Sequence, residues 1–163
     1  MPLAHLPTND APDHGRGCAV EQLPRMDSLA VFGMRVSRHF AQCRRASGRL
    51  ALLWVEVTPV EDGETVNTDG LVHMAGQRLR NRVRGTDDVV QVGAQGFAVL
   101  LMAAGSSEAE IVERRLLHTL EGAYGVDGQL LHARVRMGAA VFPDHGRSGA
   151  ELAEAARRRL HAD

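Results

Sequence analysis

Apolar and polar residues change their spacing several times along the chain, and each change predicts a new element. Residues 1–26 hold four prolines and no periodic apolar positions, which predicts a flexible tail. From residue 27 to about residue 46 the apolar residues recur at helical spacing, after Asp27 and Ser28, which suit a helix N-terminus. The nearly continuous apolar run at 50–57 is typical of a buried central strand.

The middle of the chain predicts a second helix, a hairpin and a third helix. Apolar residues at helical spacing run from Leu71 to Arg84, and arginines occupy most of the other positions. Two short apolar runs, at 89–92 and 97–102, flank the loop Gly-Ala-Gln-Gly and predict a β-hairpin. Ser107 and Glu110 have the spacing of a capping box, so we expect a helix from there to about residue 120.

The last third predicts one long strand and a closing helix. Residues 122–129 are rich in turn residues, and the run at 130–142 reads as a strand that could have a short hairpin partner. Ser148 and Glu151 form a second capping box ahead of a helix that continues to the C-terminus. The predicted order is α-β-α-β-β-α-β-α, which indicates one α/β domain over residues 27–163 with helices packed on a single sheet.

Length, composition and charge exclude several classes of protein. A chain of 163 residues with 44% hydrophobic residues can bury the core of one domain. No apolar run reaches the roughly 18–20 residues of a membrane span, and the N-terminus lacks the pattern of a secretory signal, so we expect a cytoplasmic protein. The net charge of −1 gives no general attraction to nucleic acid or to an anionic membrane. The two cysteines, Cys18 and Cys43, have no metal-site spacing and read as plain thiols.

All 19 basic residues are arginine, so every cationic site must use a planar guanidinium, which suits guanine edges and phosphates. GC-rich coding accounts for the same bias without any function. The three-arginine run at 157–159 reads as a solvated helix face. His73, His118 and His132 lack the spacing of paired metal ligands and read as ordinary surface or core residues.

Several segments, in the same order and at the same spacing, resemble the GGDEF domain, the catalytic domain of diguanylate cyclases. These are LALLWVEV at 50–57, VGAQGFAVLL at 92–101, VRMGAAVFPDHG at 135–146 and ELAEAARRRLHAD at 151–163. The resemblance covers about residues 27–163. It implies the nucleotidyl-cyclase palm, an α/β fold with a central, mostly antiparallel sheet surrounded by helices.

Departures from the family's pattern predict that the cyclase chemistry has been lost. Members of the family that make cyclic di-GMP from two GTP molecules hold Mg²⁺ or Mn²⁺ with carboxylates from the first core strand and from the hairpin. Glu56 matches the first position, but Gln95 and Gly96 replace the acids of the hairpin motif. The loop between the strand at 50–57 and the next helix is about four residues shorter than is usual in the family, and Asp69 alone matches an acid that contacts guanine. We therefore expect no cyclase activity and no magnesium cofactor.

A second feature of the family is retained. Many GGDEF domains bind the product, cyclic di-GMP, through an Arg-x-x-Asp motif that ends five residues before the hairpin motif. Arg84 and Asp87 match this motif and its spacing, and the ungapped continuation places the second arginine of that site at Arg115. A guanidinium can donate two hydrogen bonds to guanine O6 and N7, and a carboxylate can accept from guanine N1–H and N2–H.

The same two residues have a purely structural interpretation. With many arginines and aspartates in the chain, one Arg-x-x-Asp is expected by chance. Arg84 would then be a charge at a helix C-terminus, and Asp87 would be a turn residue.

The sequence therefore predicts a catalytically inactive GGDEF-like domain that binds cyclic di-GMP through Arg84, Asp87 and Arg115 and signals to an unidentified protein partner. The resemblance is also compatible with a homodimer. The alternative is a pseudo-enzyme scaffold for protein interaction or dimerisation that binds no nucleotide, and residual cyclase activity is a third hypothesis.

Overall fold

Six strands and four helices make up the fold, which a computed structural model describes for residues 23–46 and 48–162. The six strands form one sheet. In chain order the elements are β1 (Arg25–Met26), α1 (Leu29–Arg45), β2 (Leu50–Pro59), α2 (Thr68–Arg82), β3 (Asp88–Val92), β4 (Gly96–Met102), α3 (Ser106–Leu120), β5 (Gly122–Val126), β6 (Gln129–Phe142) and α4 (Gly149–Ala162).

The sheet has the order β1-β3-β4-β2-β6-β5, and only the β1–β3 pair is parallel. Strand β2 lies between β4 and β6, so Leu52 pairs with Leu100 on one side and with Ala140 on the other. Its apolar run at 50–57 is buried on both faces, as the sequence predicted for a central strand. The expectation of a mostly antiparallel sheet surrounded by helices is confirmed.

Two apolar cores cover the two faces of the sheet. Helices α2 and α3 pack on the first face, where Val55 of β2 lies in one core with Leu79 and Leu116. Helices α1 and α4 pack on the second face, where Phe40 and Leu160 lie in one core with alternate residues of β2. The period-two alternation of β2 therefore supplies side chains to both cores.

The helix boundaries follow local capping, and one predicted cap is wrong. Ser28 caps α1 as expected, and the Ser148 hydroxyl accepts a hydrogen bond from Glu151 N at 3.2 Å ahead of α4. Helix α3 does not begin with the Ser107–Glu110 box. It begins at Ser106, and Glu108 Oε1 accepts a hydrogen bond from Gly105 N at 2.9 Å. The capping acid is therefore two residues nearer the N-terminus than predicted.

Strands β1 and β5 occupy segments that the sequence assigned to a tail and to turns, although the sequence allowed a short hairpin partner for the strand at 130–142. Residues 122–126 were assigned to a turn-rich segment but form β5, the hairpin partner of β6. Residues 25–26 were assigned to the flexible tail but form β1, which pairs with β3. The described fold therefore includes residues 23–26, while residues 1–22, which the sequence also assigned to the tail, lie outside the described part of the chain.

The arginine run near the C-terminus is only partly a solvated face. Arg159 Nη1 donates a hydrogen bond to Ala139 O in β6 at 2.8 Å, so this side chain ties α4 to the sheet. Arg157 lies 3.9 Å from the Glu154 carboxylate and over the Trp54 ring at 5.8 Å.

Across the residues that the structure describes, no helix combines the length and the apolar character that a membrane crossing needs.

Candidate functional site

The hairpin turn between β3 and β4 lies beside the end of β2, where the sequence placed the lost metal site. Gly93 has a φ of 74°, which favours glycine, and Gln95 O accepts a hydrogen bond from Val57 N at 2.9 Å. Glu56 pairs with Gly96 in the β2–β4 register. The structure therefore brings Glu56 close to the two positions whose acids are replaced.

Glu56 does not belong to a metal-binding cluster of acids among the described residues. Within 23–46 and 48–162, no group of three or more His, Cys, Asp or Glu side chains is arranged to hold a metal ion. Asp69 lies in the first turn of α2, two residues after the cap residue Asn67, whose amide Nδ2 donates to Asp127 Oδ2 at 2.7 Å.

Arg84 and Asp87 form a tight local unit after the end of α2. The helix ends at Arg82 and Val83 is extended, so Arg84 is not the C-terminal helix residue that the sequence predicted. Arg84 Nε donates to Asp87 Oδ2 at 3.3 Å and Arg84 Nη2 donates to Asp87 Oδ1 at 3.2 Å. Asp87 N donates to Arg84 O at 3.0 Å and closes the turn.

The Asp87 carboxylate is buried and fully engaged by the protein. Its side chain is only 3% exposed. Besides the two guanidinium bonds, Oδ2 accepts from Arg84 N and Oδ1 accepts from Met102 N, each at 3.1 Å. A carboxylate offers about four lone-pair positions, and here four donors occupy them. Asp87 therefore connects the turn to the end of β4 and has no acceptor left for a ligand in this arrangement.

Arg84 faces outward from this unit. Its side chain is 62% exposed. Nη2 also donates to Met102 O at 2.7 Å, so Nε and Nη2 are both directed into the protein. The remaining donors are the two Nη1 hydrogens. Arg84 can therefore donate to a ligand through Nη1 and stack on a ring.

Arg115, the second arginine of the predicted site, lines the same cavity as Arg84. A cavity of about 270 Å³ is lined by both arginines and Asp87, with the remaining wall formed by Leu101, Ala103, Ala104, Glu108, Ile111 and Val112. Arg115 Nη2 donates one hydrogen bond to Arg82 O at 3.0 Å. That bond leaves Nη1 and one Nη2 hydrogen for a two-bond contact with a ligand.

Two cavity residues were not found from the sequence. Glu108 is exposed on the cavity wall, and hydrogen bonds from its own backbone N–H and from Gly105 N hold the pKa of its carboxyl below the usual range. Ile111 lies one turn further along α3 and is 62% exposed, which gives the cavity an apolar surface. Both residues project from the same helix as Arg115, and a helical wheel of α3 would have grouped them.

The chain matches the family model described as "Diguanylate cyclase, GGDEF domain" over residues 64–163. The protein belongs to the GGDEF family. This GGDEF domain is 25% identical over 159 residues to the cyclic di-GMP phosphodiesterase NbdA of Pseudomonas aeruginosa, with 91% of the chain and 20% of NbdA covered. It is 25% identical over 139 residues to the diguanylate cyclase TpbB of the same species, with 81% of the chain and 32% of TpbB covered.

A solved structure shows the same fold. The crystal structure of a sensory box/GGDEF family protein from Caulobacter crescentus superimposes with a TM-score of 0.75 at 23% identity, covering 86% of this chain and 92% of that one. The GGDEF fold predicted from the sequence is thereby confirmed. The chain spans only about a fifth to a third of the two curated relatives, which carry further sequence beyond the matched domain.

Proposed function

We propose that this GGDEF domain is a receptor for cyclic di-GMP that does not turn over GTP and that passes the signal to a protein partner. The observation that carries the proposal is the cavity that Arg84 and Arg115 both line. The relatives NbdA and TpbB, whose names place them in cyclic di-GMP metabolism, support the choice of ligand.

The two arginines have different roles in this proposal. Arg115 keeps a free pair of guanidinium donors and makes the two-bond contact with guanine O6 and N7. Arg84, whose Nε and Nη2 are held by Asp87, donates through Nη1 and stacks on the purine face. Asp87 acts through Arg84, because it fixes the orientation of the guanidinium before the ligand arrives.

Two further cavity residues complete the recognition of guanine. Glu108 is an exposed carboxylate in the cavity, and it can accept from guanine N1–H and N2–H, the role that the sequence had given to Asp87. Ile111 offers an exposed apolar side chain on which a base can lie. A site with hydrogen-bond donors, an acceptor and an apolar surface is better suited to binding a purine than to binding a simple anion.

The proposed absence of turnover rests on the hairpin. A neutral amide at Gln95 is a weaker magnesium ligand than a carboxylate, and Gly96 contributes no side chain. Glu56 is the one acid at the end of β2 beside this turn, and the described residues hold no cluster of three or more potential ligands around it. These features support a binding domain over a cyclase.

Calorimetric titration of cyclic di-GMP into the wild-type protein and the Arg84→Ala and Arg114→Ala variants tests the proposal. Arg114 is the matched control, because it is exposed on the same helix as Arg115 but lines a different groove. We expect Arg84→Ala to lose about 1–3 kcal/mol of binding free energy, or about 5- to 150-fold in affinity, and Arg114→Ala to bind like the wild type.

Incubation of the wild-type protein with GTP and Mg²⁺ or Mn²⁺ tests the second part of the proposal, and we expect no cyclic di-GMP. Formation of product would contradict it. Absence of any binding heat with the wild type would reject the receptor and favour the nucleotide-independent scaffold.

A further inference from the structure

A second, strongly basic cleft lies between the C-terminal halves of α2 and α3. It has a volume of about 470 Å³ and is lined by Arg78, Asn81, Arg82, His118 and Thr119. None of these side chains is a carboxylate, and none is a large apolar group. Such a lining is suited to a small, highly charged anion and unsuited to an apolar ligand.

Arg78 is held in place before any ligand binds. Its guanidinium lies 3.7 Å from the centre of the Tyr124 ring, and its Nη2 donates to Ala123 O at 2.8 Å. The Tyr124 hydroxyl donates in turn to Leu120 O at 2.6 Å, which fixes the ring. An arginine with this support loses little conformational freedom when an anion binds.

Arg82 lies four residues after Arg78 and therefore on the same face of α2. It is exposed, and no ion pair joins Arg78, Arg82 or His118 to an acid within residues 23–46 and 48–162. Like charges at this spacing repel each other on a helix. An anion bound between Arg78 and Arg82 would offset this repulsion, so the two arginines are better accommodated with an anion than without one.

The basic cleft adjoins the cavity of Arg84 and Arg115. Arg115 lines the cavity, and its Nη2 donates to the backbone oxygen of Arg82, which lines the cleft. Small-molecule sites typically measure about 300–1,000 Å³, so the cavity of about 270 Å³ is small for a whole cyclic dinucleotide. Cavity and cleft together fall within that range.

We propose that the cleft of Arg78 and Arg82 is a phosphate subsite, which holds a phosphodiester of the ligand whose base lies in the adjoining cavity. This inference rests on the proposed function, since it assigns a second part of the same ligand. The two arginines bind the phosphate, and Asn81 and His118 line the remaining wall.

The test is calorimetric titration of the full chain with cyclic di-GMP at two or more salt concentrations. The variants are Arg82→Gln, the double variant Arg78→Gln/Arg82→Gln, and the control Arg114→Gln, which removes one charge from α3 outside the cleft. Arg82→Gln is chosen first because its side chain is exposed and its replacement leaves the Tyr124 contact of Arg78 intact. Inorganic pyrophosphate serves as a second probe that lacks a base.

We expect about fivefold weaker cyclic di-GMP binding for Arg82→Gln and at least tenfold weaker binding for the double variant, with a smaller salt dependence in both. Arg114→Gln should stay within about twofold of the wild type. Pyrophosphate should compete with cyclic di-GMP in the wild type and not in the double variant.

Each contrary result separates this inference from the proposed function. If Arg82→Gln and the double variant bind like Arg114→Gln while Arg84→Ala loses affinity, the subsite is rejected and the receptor remains. If the wild type binds no cyclic di-GMP, the receptor is rejected and the subsite with it.

Discussion

Replacement of Asp87 by asparagine should destabilise the fold, because this carboxylate holds two segments together inside the protein. Asp87 is 4% exposed and accepts from the backbone N–H groups of Arg84 and Met102, each at 3.1 Å. Asparagine keeps one acceptor oxygen and places an NH₂ group where the other was. Whichever way the amide turns, one backbone N–H loses its acceptor and faces a donor.

The size of the effect follows from these contacts. A buried donor without a partner costs about 1–3 kcal/mol, and loss of the charge weakens the surviving bond by about 1 kcal/mol. The ion pair with Arg84 adds at most about 1 kcal/mol, because the arginine side chain is 62% exposed and screened by solvent. We therefore expect Asp87→Asn to lower the free energy of unfolding by about 2–5 kcal/mol, which lowers Tm by roughly 4–20 °C.

Urea denaturation followed by tryptophan fluorescence measures this change, since Trp54 is the one tryptophan of the chain and is buried beneath α4. Asp88→Asn is the matched control. The Asp88 carboxylate pairs with Arg35 at 3.1 Å near the surface, and this ion pair should contribute less than about 1 kcal/mol to the free energy of unfolding. Equal loss of stability in the two variants would refute the structural role of Asp87.

Two further contacts give predictions of their own. Tyr124→Phe removes the hydroxyl that donates to Leu120 O but keeps the ring under Arg78. The free energy of unfolding, measured by thermal or urea denaturation, should therefore fall by about 1 kcal/mol. An unchanged value would show that this hydrogen bond contributes nothing to stability. Glu61 accepts a hydrogen bond from the backbone N–H of His132, which lowers the pKa of its carboxyl. The stability from this contact is therefore present above the ordinary glutamate pKa of about 4.3 and is lost as the pH falls through the lowered value. Wild type should exceed Glu61→Gln in stability at pH 7 and converge with it in acid, and a difference that is independent of pH would contradict this.

The sequence predicts the main helices and central strands because their causes are local. The helix that follows Ser28 begins where a hydroxyl can cap it, and the central strand β2 is marked by an apolar run that only a strand buried on both faces requires. The hairpin β3–β4 follows from two apolar segments around a glycine-rich turn.

The elements that the sequence did not resolve depend on their strand partners and not on a pattern of their own. Strand β5 is rich in glycine and resembles a turn, and it becomes a strand because β6 offers it a hydrogen-bonding edge. The two-residue strand β1 is too short to show any periodicity and exists through its pairing with β3. The capping acid of α3 was misplaced because Glu108 and Glu110 both follow small residues, and only the backbone geometry at Gly105 selects between them.

The candidate site was predicted in part for the same reason. Arg84 and Asp87 are three residues apart, so their contact is local and the motif places them together. The hydrogen bond from Met102 N to the Asp87 carboxylate depends on how the turn packs against β4. The spacing of residues along the sequence does not reveal that packing. That Arg115 lines one cavity with Arg84, and His118 lines one cleft with Arg78 and Arg82, depends on how α2 lies against α3.

The calorimetric titration of cyclic di-GMP into the wild-type protein and Arg84→Ala tests the receptor most directly. The account predicts saturable binding to the wild type that weakens about 5- to 150-fold in the variant, with both proteins folded as judged by Trp54 fluorescence. Equal affinity for the two proteins, or no binding to either, would contradict it.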